Sequence, residues 1–308
     1  MSGLVVTGWG TAVPSRVVTN AELSATLDTS DEWIVERTGI KERRVGSTTS
    51  ALAIEAGRAA LDVAGLTGSD IDLVILATTT GDRIVPATSP TVQDALGISG
   101  GAMDLNAACS GFVYGLVTAS GLLATGLSRI LLIGAETLSK ITDWTDRSNA
   151  ILFGDGAGAL VLEATDGPGD LLGWDLGSDG SATNILRCEH GSTIEMDGKE
   201  VFRRAVRVMV ESSNLALERA GVSIDDIDLV VPHQANLRII QAACQRLGVS
   251  EERAAVVIDR YGNTSSASIP LALVDSLESG RVSSGDLLLL TGFGAGMTWA
   301  SAVLRWAR

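Results

Sequence analysis

The stretch that decides the fold is Asp70-Ile71-Asp72-Leu73-Val74, because it returns as Asp226-Ile227-Asp228-Leu229-Val230, 156 residues later. The turn before it repeats at the same spacing, with Ala60–Gly65 matching Ala216–Gly221. A third match is the Phe-Gly-x-Gly of Phe153–Gly156 and Phe293–Gly296. An offset of about half the chain, seen twice only, indicates duplication of a whole domain rather than a solenoid of short repeats. Duplicated halves place non-identical loops around a shared cleft, so chemistry is expected where the halves differ.

Short apolar runs predict strands that are buried on both faces. These runs are Leu73–Ala77, Ile130–Gly134, Leu229–Val231, Ala255–Ile258 and Leu287–Leu290. Helical stretches lie between them. In the first half, one buried helix face is expected to contain Leu52, Ala56, Ala59, Ala60 and Val63, and the helix is expected to end at Gly65. Alternation of such strands and helices predicts layered α/β domains.

Two further segments bear on the domain organisation: one predicts the boundary between the halves, and the other predicts a long surface segment. The cluster Asp166-Gly167-Pro168-Gly169-Asp170 is the densest run of turn residues near the midpoint. It predicts an N-terminal half of residues 1–166 and a C-terminal half of residues 167–308. The stretch from Ser178 to Gly198 is polar and lacks periodicity, so a long surface excursion of the second half is expected there.

Composition limits the class of protein. The 308 residues are 45% hydrophobic and 19% charged, which is typical of a well-buried globular protein. No apolar run approaches the ~20 residues that span a bilayer, and the start of the chain lacks the features of a signal peptide. Three cysteines, an odd number and widely spaced, argue against a disulfide framework and favour a cytoplasmic protein.

The balance of charges is strongly acidic. A net charge of −14 disfavours a non-specific nucleic-acid binder, which needs a basic surface. It still allows an acidic partner, provided that basic residues are gathered locally. Neither histidine has further ligands at metal spacing, so no metal site is expected.

Cys109 is the first candidate for chemistry. The strand-like segment Ala102–Leu105 precedes it and a helix with small residues follows it. A cysteine at a strand-to-helix turn has its sulfur near the helix N-terminus, where the dipole and free N–H groups favour the thiolate. A small buried hydrophobe is the alternative interpretation. Cys188 and Cys244 lack this setting, and Cys244 is expected to lie in the core.

His233 and Asn263 are the next candidates. His233 follows the predicted strand Leu229–Val231 and Pro232, at the edge where α/β sheets gather ligand groups. Asn263 lies between the predicted strand Ala255–Ile258 and a helix. The alternatives are a satisfied polar residue for His233 and a helix N-cap for Asn263. His190 is expected to be exposed.

The glycine turn Gly292–Gly296 follows the predicted strand Leu287–Leu290. Such a turn can present backbone N–H groups to a developing oxyanion, since little side chain obstructs the approach. It matches no nucleotide-binding pattern, because the spacing and lysine of a P-loop are absent.

Three motifs together resemble the active site of β-ketoacyl-acyl-carrier-protein synthase III. They are Ala-Ala-Cys-Ser-Gly-Phe at 107–112, Val-Pro-His-Gln-Ala-Asn-Leu-Arg at 231–238 and Gly-Asn-Thr-Ser at 262–265. Asp28–Ile34, Arg37–Ile40 and Phe153–Gly158 resemble further signatures of the family. The similarity covers essentially the whole chain, in order. It implies the thiolase-like fold, with two duplicated mixed-sheet halves in a five-layer αβαβα arrangement and a homodimer.

The resemblance also implies the chemistry. It assigns Cys109 as the nucleophile that accepts an acyl group from acyl-coenzyme A, with His233 and Asn263 completing a triad. Malonyl-acyl-carrier protein then loses carbon dioxide, and its carbanion attacks the acyl-cysteine. The backbone N–H groups of Cys109 and Ala295 are implied to form the oxyanion hole. Coenzyme A thioester is a substrate here, and no cofactor or metal is implied.

Further residues are implied by position. Trp33, Arg37 and Arg147 resemble a clamp on the adenine end of coenzyme A, although Trp33 alone can also be read as core. Phe202, Asn236 and Arg238 resemble the pantetheine channel. Arg203 and the run Gln234, Ala235, Asn236, Leu237 and Arg238 are the expected docking residues for the acidic carrier protein. A solvated helix face is the alternative for Arg204 and Arg207.

One position departs from the family. The middle residue of the last turn is Ala295, where the family usually has glycine; its N–H is retained, and its methyl group is expected to narrow the acyl pocket. Val85, Ile151 and Leu186 are guessed to line that pocket.

Related activities remain as alternatives. A thiolase needs a second cysteine in the last turn and a hydroxymethylglutaryl synthase a glutamate base, and neither is evident. The N-terminal signature argues against a chalcone-synthase-like enzyme. An acyltransferase of the same fold, a starter-unit ketosynthase of a polyketide pathway and a non-catalytic acyl-binding subunit stay open.

Overall fold

The computed structural model describes residues 3–308, which form two mixed sheets with helices between and outside them. The strands are β1 (Gly3–Ala12), β2 (Arg16–Thr19), β3 (Glu42–Val45), β4 (Leu73–Ala77), β5 (Gly101–Leu105), β6 (Arg129–Thr137), β7 (Asp155–Thr165), β8 (Leu171–Ser178), β9 (Leu186–Arg187), β10 (Glu195–Met196), β11 (Leu229–Pro232), β12 (Leu287–Gly294) and β13 (Thr298–Arg305). The helices are α1 (Asn20–Ser24), α2 (Asp31–Thr38), α3 (Thr49–Ala64), α4 (Ser89–Ala95), α5 (Gly111–Ala124), α6 (Arg147–Ala150), α7 (Gly198–Ala220), α8 (Leu237–Leu247), α9 (Ile258–Tyr261) and α10 (Ser268–Glu278).

The sheets have matching designs. The N-terminal sheet has the order β1-β7-β6-β4-β5, and the C-terminal sheet has the order β11-β12-β13-β8. In the first sheet β4 is parallel to both β5 and β6, and in the second β11 is parallel to β12, while the remaining pairs are antiparallel. Both sheets are therefore mixed, as the fold prediction requires.

The repeated sequence produces repeated structure. Helices α3 and α7 end at Gly65 and Gly221, which both adopt left-handed backbone with φ of 69° and 70°. Glycine adopts that conformation without the steric cost that a Cβ would add. A short 3-10 turn closed by a capping box follows in each half, and β4 or β11 comes next. The duplication inferred from the two motifs is thus visible as the same helix–turn–strand unit.

The layers are stacked in the order expected. Helix α3 packs on the outer face of the N-terminal sheet, and α7 packs on the outer face of the C-terminal sheet beside α8. Helices α5 and α10 contact strands of both sheets, so they form the central layer. The largest apolar cluster joins both sheets through these two helices, with Phe112, Leu116 and Ile269 fully buried. This is the predicted five-layer αβαβα arrangement.

Two local predictions are wrong. Residues 255–257 form no strand: only a single bridge joins Ala254 to Val230 before α9 begins. Val63 is 45% exposed, because the buried stripe of α3 runs through Ala53, Gly57 and Leu61 instead. The 178–198 excursion lies mostly at the surface, as expected; it carries the small β9–β10 hairpin and buries Ile194.

The other predicted strands are confirmed. Leu73–Ala77 is β4, and the remaining runs lie within β5, β6, β11 and β12. The loop 166–170 connects β7 to β8, and our division into residues 1–166 and 167–308 follows that loop. Within residues 3–308, no helix combines the length and the apolar character that crossing a membrane requires.

Candidate active site

Cys109 lies at a tight turn between β5 and α5. The Asn106 side-chain oxygen accepts a hydrogen bond from the Ala108 N–H at 3.1 Å, and Ala108 has a positive φ of 48°. Such a backbone is uncommon outside glycine and is held only where the surroundings enforce it. A 3-10 turn, Ala108–Ser110, then leads into α5. The predicted strand-to-helix turn is therefore confirmed, with the half-buried Cys109 at the start of the central helix.

The ionisation of Cys109 differs from the expectation of a ready thiolate. Burial raises the pKa of the Cys109 thiol to about 12, a hydrogen bond from Ser265 lowers it, and the nearby Glu136 carboxylate raises it again. Both removal from water and a nearby negative charge destabilise a thiolate. The resting residue is consequently a neutral thiol, and its reaction needs a proton acceptor.

His233 lies at the end of β11 and is 1% exposed. Its Nδ1 is 2.6 Å from the Ser268 hydroxyl oxygen, which also accepts a hydrogen bond from the Gln234 N–H at 3.3 Å. Because that oxygen accepts from Gln234, its own hydrogen is free to donate to Nδ1, which places the imidazole proton on Nε2. Burial lowers the pKa of His233 to about 3, so the ring is neutral at physiological pH. A neutral imidazole with Nε2–H is a hydrogen-bond donor.

Asn263 belongs to the C-terminal half but is held by the N-terminal half. Its N–H donates to the Leu152 carbonyl at 2.8 Å, and its carbonyl accepts from the Gly154 N–H at 3.0 Å. The side-chain Oδ1 accepts from the Ser265 N–H at 2.9 Å. This is a local turn and not a helix N-cap, since Thr264 occupies the position before the 3-10 helix. With Oδ1 engaged, the amide Nδ2 is left to donate elsewhere.

The last glycine turn packs against both the cysteine and the histidine. A Cβ at Gly294 would lie 2.6 Å from the Cys109 backbone nitrogen, and a Cβ at Gly292 would lie 3.2 Å from the His233 Cβ. The Thr298 hydroxyl lies 2.9 Å from the Ala107 carbonyl and bonds Ser110, which ties the β12–β13 hairpin to the cysteine turn. Glycine at 292 and 294 therefore lets three separate segments approach closely.

A cavity of about 950 Å³ adjoins these groups, a size suited to a small-molecule ligand. Cys109, Ala295, Ser265 and Phe153 contribute to its wall, together with the 183–194 excursion. Leu186 lines it as guessed, whereas Val85 is 81% exposed and lies outside it, and Ile151 is buried elsewhere. The Ala295 methyl group is on the cavity wall, where it occupies space that a glycine would leave open.

A second cluster joins the arginines and tryptophan predicted to clamp adenine. The guanidinium groups of Arg37 and Arg147 lie over the Trp33 ring, 4.6 and 4.8 Å from its centroid. The half-buried Trp33 therefore packs against an apolar cluster of the interior and is also contacted by two cations. Asn236, the N-cap of α8, donates from Nδ2 to the Arg37 carbonyl at 3.0 Å.

The neighbouring helices are brought together by one glycine. A Cβ at Gly39 would lie 2.6 Å from the Leu237 Cβ, so α2 and α8 pack directly at that point. The clamp on α2 therefore adjoins Asn236 and the exposed Arg238. Phe202, at the start of α7, is half-buried against a cluster that contains Ala235 and Ile239.

Two of the expected docking residues are corrected. Gln234 and Ala235 are buried, with 1% and 8% of their surface exposed, so neither can contact a partner protein. The Gln234 amide instead donates to the carbonyls of Pro232 and Ala255 and accepts from the Val257 N–H. These bonds hold the extended segment 255–257 beside β11.

The remaining docking candidates are exposed to different degrees. Arg238, Arg203 and Arg207 are exposed, whereas Leu237 is half-buried against Gly39. Arg203 forms an ion pair with Glu200 at 2.6 Å, and Arg204 pairs with both Glu200 and Asp179. Hydrogen bonds from these two arginines lower the pKa of Glu200 to about 2. Arg203 and Arg204 are thus already partnered.

Sequence reasoning missed Ser268, Ser265 and Glu136. The serine-rich run 265–268 follows Asn263 directly and was a usable signal for the first two. Glu136 is a carboxyl group at the end of the apolar β6, an unusual place for a charge, and it was not singled out. No group of three or more potential metal ligands occurs among residues 3–308.

Comparison with known proteins agrees with this geometry. The family described as 3-oxoacyl-[acyl-carrier-protein] synthase III matches residues 103–180, and its C-terminal family matches residues 217–306. The chain is 51% identical to a β-ketoacyl-[acyl-carrier-protein] synthase III from Roseiflexus castenholzii, over 98% of each chain. It is 46% identical to a synthase III from Bacillus anthracis, over 98% of this chain and 99% of that one.

Solved structures extend the comparison to the fold. A 3-oxoacyl-[acyl-carrier-protein] synthase III from Aquifex aeolicus superimposes with a TM-score of 0.96 at 44% identity, covering 98% of this chain and 100% of that one. The priming β-ketosynthase of the R1128 polyketide pathway superimposes with a TM-score of 0.94 at 37% identity, covering 99% and 96%. Cys109 lies on the cavity wall, the glycine turn packs against both Cys109 and His233, and Asn263 is hydrogen-bonded to Ser265 on the same wall. With this geometry and near-complete coverage of the relatives, the chain belongs to the 3-oxoacyl-[acyl-carrier-protein] synthase III family.

Proposed function

We propose that this enzyme condenses an acyl-coenzyme A starter with malonyl-acyl-carrier protein, with loss of carbon dioxide, to give 3-oxoacyl-acyl-carrier protein. The reaction starts fatty acid synthesis and proceeds through an acyl-Cys109 intermediate. The observation that carries the proposal is the arrangement of three segments: Cys109 lies on the cavity wall, His233 packs against the glycine turn that also contacts Cys109, and Asn263 is bonded to Ser265 on the same wall. Relatives at 46–51% identity are named for this activity.

Acylation of the enzyme depends on the Cys109 nucleophile and on the backbone of the glycine turn Gly292–Gly296. Coenzyme A binds with its adenine near Trp33, Arg37 and Arg147, and its pantetheine arm extends past Phe202, Asn236 and Arg238 towards Cys109. The thiolate attacks the thioester carbonyl, which divides one difficult transfer into two easier steps. The N–H groups of Cys109 and Ala295 stabilise the tetrahedral oxyanion, and each such donor contributes about 3 kcal/mol.

Condensation uses the two other side chains. The malonyl thioester oxygen accepts hydrogen bonds from His233 Nε2–H and Asn263 Nδ2–H as carbon dioxide leaves and the enolate forms. A neutral imidazole suits this role, because its Nε2–H donates a hydrogen bond to the oxygen without any prior change in protonation state. The enolate carbon then attacks acyl-Cys109 and releases the product on the carrier protein.

We further propose that the active form is a homodimer built on β5. This strand is the free edge of the N-terminal sheet and is partly exposed along its length. Beside it, Ile84 and Val85 are 80% and 81% exposed, on a loop whose end is held by hydrogen bonds from Thr88 and Ser89 to Asp104 of β5. A free sheet edge next to exposed apolar side chains favours pairing with the same surface of a second copy of this chain.

Two related assignments are less well supported. The likeness to the polyketide priming ketosynthase favours starter-unit synthesis in a secondary pathway, but its 37% identity is below that of the synthase III relatives. A non-catalytic subunit would not need the close packing around Cys109. The three cysteines are unpaired, as is usual in the reducing cytoplasm, where we place the reaction.

The proposed function is tested by following a labelled acyl group through both steps of the reaction. Wild-type protein incubated with labelled acyl-coenzyme A should retain label on Cys109 and then release carbon dioxide and 3-oxoacyl product with malonyl-acyl-carrier protein. Cys109→Ser should lose both steps, since a serine hydroxyl is much harder to ionise and a weaker nucleophile than a thiol. Labelling of the serine variant at the wild-type rate would reject the assignment. A panel of starter chains in the same assay identifies the preferred substrate.

A further inference from the structure

Glu136 is a buried carboxyl group that the reaction described above does not use. It lies near the end of β6, is 0% exposed, and follows the apolar run Ile130–Ala135. A carboxylate in such a position is costly unless it is paired or hydrogen-bonded. Its presence beneath the active site therefore calls for an explanation beyond packing.

Its hydrogen-bond partners are all uncharged. The backbone N–H groups of Thr79 and Thr80 donate to it at 3.1–3.2 Å, and the Thr78, Thr79 and Thr80 hydroxyls surround the same oxygens. Among residues 3–308 it forms no ion pair with a basic side chain. Burial raises the pKa of Glu136, so this carboxylate accepts a proton more readily than an exposed one does.

Ser265 joins this carboxyl group to the nucleophile. The Ser265 hydroxyl donates to Glu136 Oε1 at 2.9 Å, and the same side chain lowers the pKa of the neighbouring Cys109 thiol. Both Ser265 and Cys109 lie on the cavity wall. One hydroxyl has one hydrogen and two lone pairs, so it can accept from a thiol while it donates to a carboxylate. Ser265 is thus placed to link the carboxyl group to the thiol.

Ser265 is also held in an unusual backbone conformation. Its φ is +49°, in the left-handed region, and its N–H is the donor that fixes Asn263 Oδ1. The next residue is held by the same carboxyl group, because the Ser266 hydroxyl donates to Glu136 Oε1 at 3.1 Å. The strained backbone therefore places the hydroxyl between the acid and the thiol.

We propose that Glu136 receives the thiol proton of Cys109 through the Ser265 hydroxyl during acylation. The proton of Cys109 Sγ passes to Ser265 Oγ as the Ser265 proton passes to Glu136 Oε1. The S–H bond breaks and a carboxyl O–H bond forms, so the single negative charge moves from the carboxylate to the sulfur. The thiolate attacks the acyl thioester, and the proton returns by the same route to the departing coenzyme A thiolate. Glu136 acts through Ser265 and is a positioning and proton-holding residue; the inference rests on the proposed function.

The relay has a distinctive pH dependence. The titratable groups at this point are Cys109, Glu136 and the neutral His233. While Glu136 and Cys109 share one proton, the fraction of thiolate is set by transfer within the pair and does not change with pH. Without the acceptor the proton must leave to solvent, and the thiolate fraction then rises about tenfold per pH unit below the thiol pKa.

The experiment measures the rate of Cys109 acylation by acyl-coenzyme A in single turnovers, from about pH 7 to pH 9, below the pKa of about 12 of the Cys109 thiol. The wild type should give a flat profile. Glu136→Gln, which keeps the shape of the side chain, should acylate about 100-fold more slowly near pH 7 and recover as the pH rises, an effect typical of losing a general base. Ser265→Ala, which keeps the N–H to Asn263, should show the same recovery. Ser276→Ala removes a buried hydroxyl that bonds the Ala272 carbonyl, away from the site, and should match the wild type.

A second readout separates proton transfer from mere support of Asn263. Once Glu136→Gln has been fully acylated by long incubation, its release of carbon dioxide from malonyl-acyl-carrier protein should stay within about threefold of wild type, since the relay serves acylation. An equal loss in both steps, a pH profile parallel to wild type, or faster acylation from loss of the negative charge would each overturn the relay. Failure of the wild type itself to acylate would reject the proposed function as well, so the two failures are distinguishable.

Discussion

At the scale of single residues, His233 and Asn263 are alike in one respect: each has one end of its side chain fixed by protein. Ser268 holds His233 Nδ1, and the Ser265 N–H holds Asn263 Oδ1. Neither His233 Nε2 nor Asn263 Nδ2 forms a protein hydrogen bond within residues 3–308, and both can donate to a substrate oxygen. The sequence resemblance identified the two side chains, whereas the serines that orient them became evident only from the folded geometry.

Removing either donor should separate the two half-reactions. We expect His233→Ala or Asn263→Ala to keep most of the acylation of Cys109 and to lose carbon dioxide release by about 100- to 1000-fold, the usual loss for one oxyanion donor. Asn263→Asp is the matched variant, because it keeps an acceptor for the Ser265 N–H and removes the Nδ2 donor. Burst labelling and carbon dioxide release, measured separately, test this. Unchanged decarboxylation in any of these variants would contradict the role of the donors.

Burial of neutral His233 should also appear in the pH dependence of folding. The pKa of His233 is lowered from 6.5 in a solvated state to about 3 in the fold. Between these values the unfolded chain binds the extra proton, so His233's contribution to stability is complete above about pH 6.5 and falls as the pH drops towards 3. Relative to a His233→Gln variant, the wild type should lose about 1 kcal/mol of unfolding free energy between pH 7.5 and 5.5. Urea denaturation of both proteins measures it; parallel curves would show that the histidine is not buried in its neutral form.

At the scale of elements, Gly294, the last residue of β12, packs very closely against the turn that carries Cys109. We expect Gly294→Ala to displace the Cys109 turn, because the new Cβ would lie 2.6 Å from the Cys109 nitrogen and 2.8 Å from the Ala108 Cβ. Acylation should fall at least tenfold. Gly121→Ala is the control: it lies in α5 with no atom within 4 Å of its would-be Cβ, and it should be neutral or stabilising by roughly 0.5–1 kcal/mol. Normal acylation by Gly294→Ala would show that the turn can yield without affecting the nucleophile.

The elements also show where sequence patterns suffice. Continuous apolar runs predicted β4, β6, β11 and β12, because a strand buried on both faces needs apolar residues throughout. The same rule failed at 255–258, where the Gln234 amide satisfies the backbone that a neighbouring strand would otherwise pair. Long-range side-chain bonds of this kind leave no periodic signal. The same bonds hold Gln234, which was expected to be a docking residue, in the interior.

The protonation state of Cys109 could not be predicted from sequence for a similar reason, because the groups around the thiol come from distant parts of the chain. The turn predicted a thiolate at a helix N-terminus, but Glu136 comes 27 residues later in the chain and reaches the site through Ser265. Burial of the thiol is the largest cause of its raised pKa, and the Glu136 carboxylate from another strand raises it further. The placement of the nucleophile was therefore predictable, and its protonation state was not.

At the scale of the whole molecule, the net charge of −14 opposes the approach of an acidic carrier protein. Productive docking thus depends on a local basic surface near the cavity. The fold changes the ranking of the predicted arginines: Arg203 is neutralised by Glu200, whereas Arg238 and Arg207 are exposed and form no ion pair within residues 3–308. Arg238 also adjoins the clamp that surrounds Trp33, since α8 packs on α2 at Gly39.

We therefore expect Arg238→Glu and Arg207→Glu to raise the KM for malonyl-acyl-carrier protein several-fold at low salt, and Arg203→Glu to do so less. The difference from wild type should shrink as salt is added, because screening weakens exposed charges most. Arg246→Glu is the control, since it makes the same change on α8 eight residues further on, about 12 Å along the helix. Acylation from small acyl-coenzyme A donors should suffer less, most clearly for Arg207. If carrier-protein kinetics are unchanged at both salts, docking occurs on another face; if Arg246→Glu is equally impaired, overall charge governs the encounter rather than a local surface.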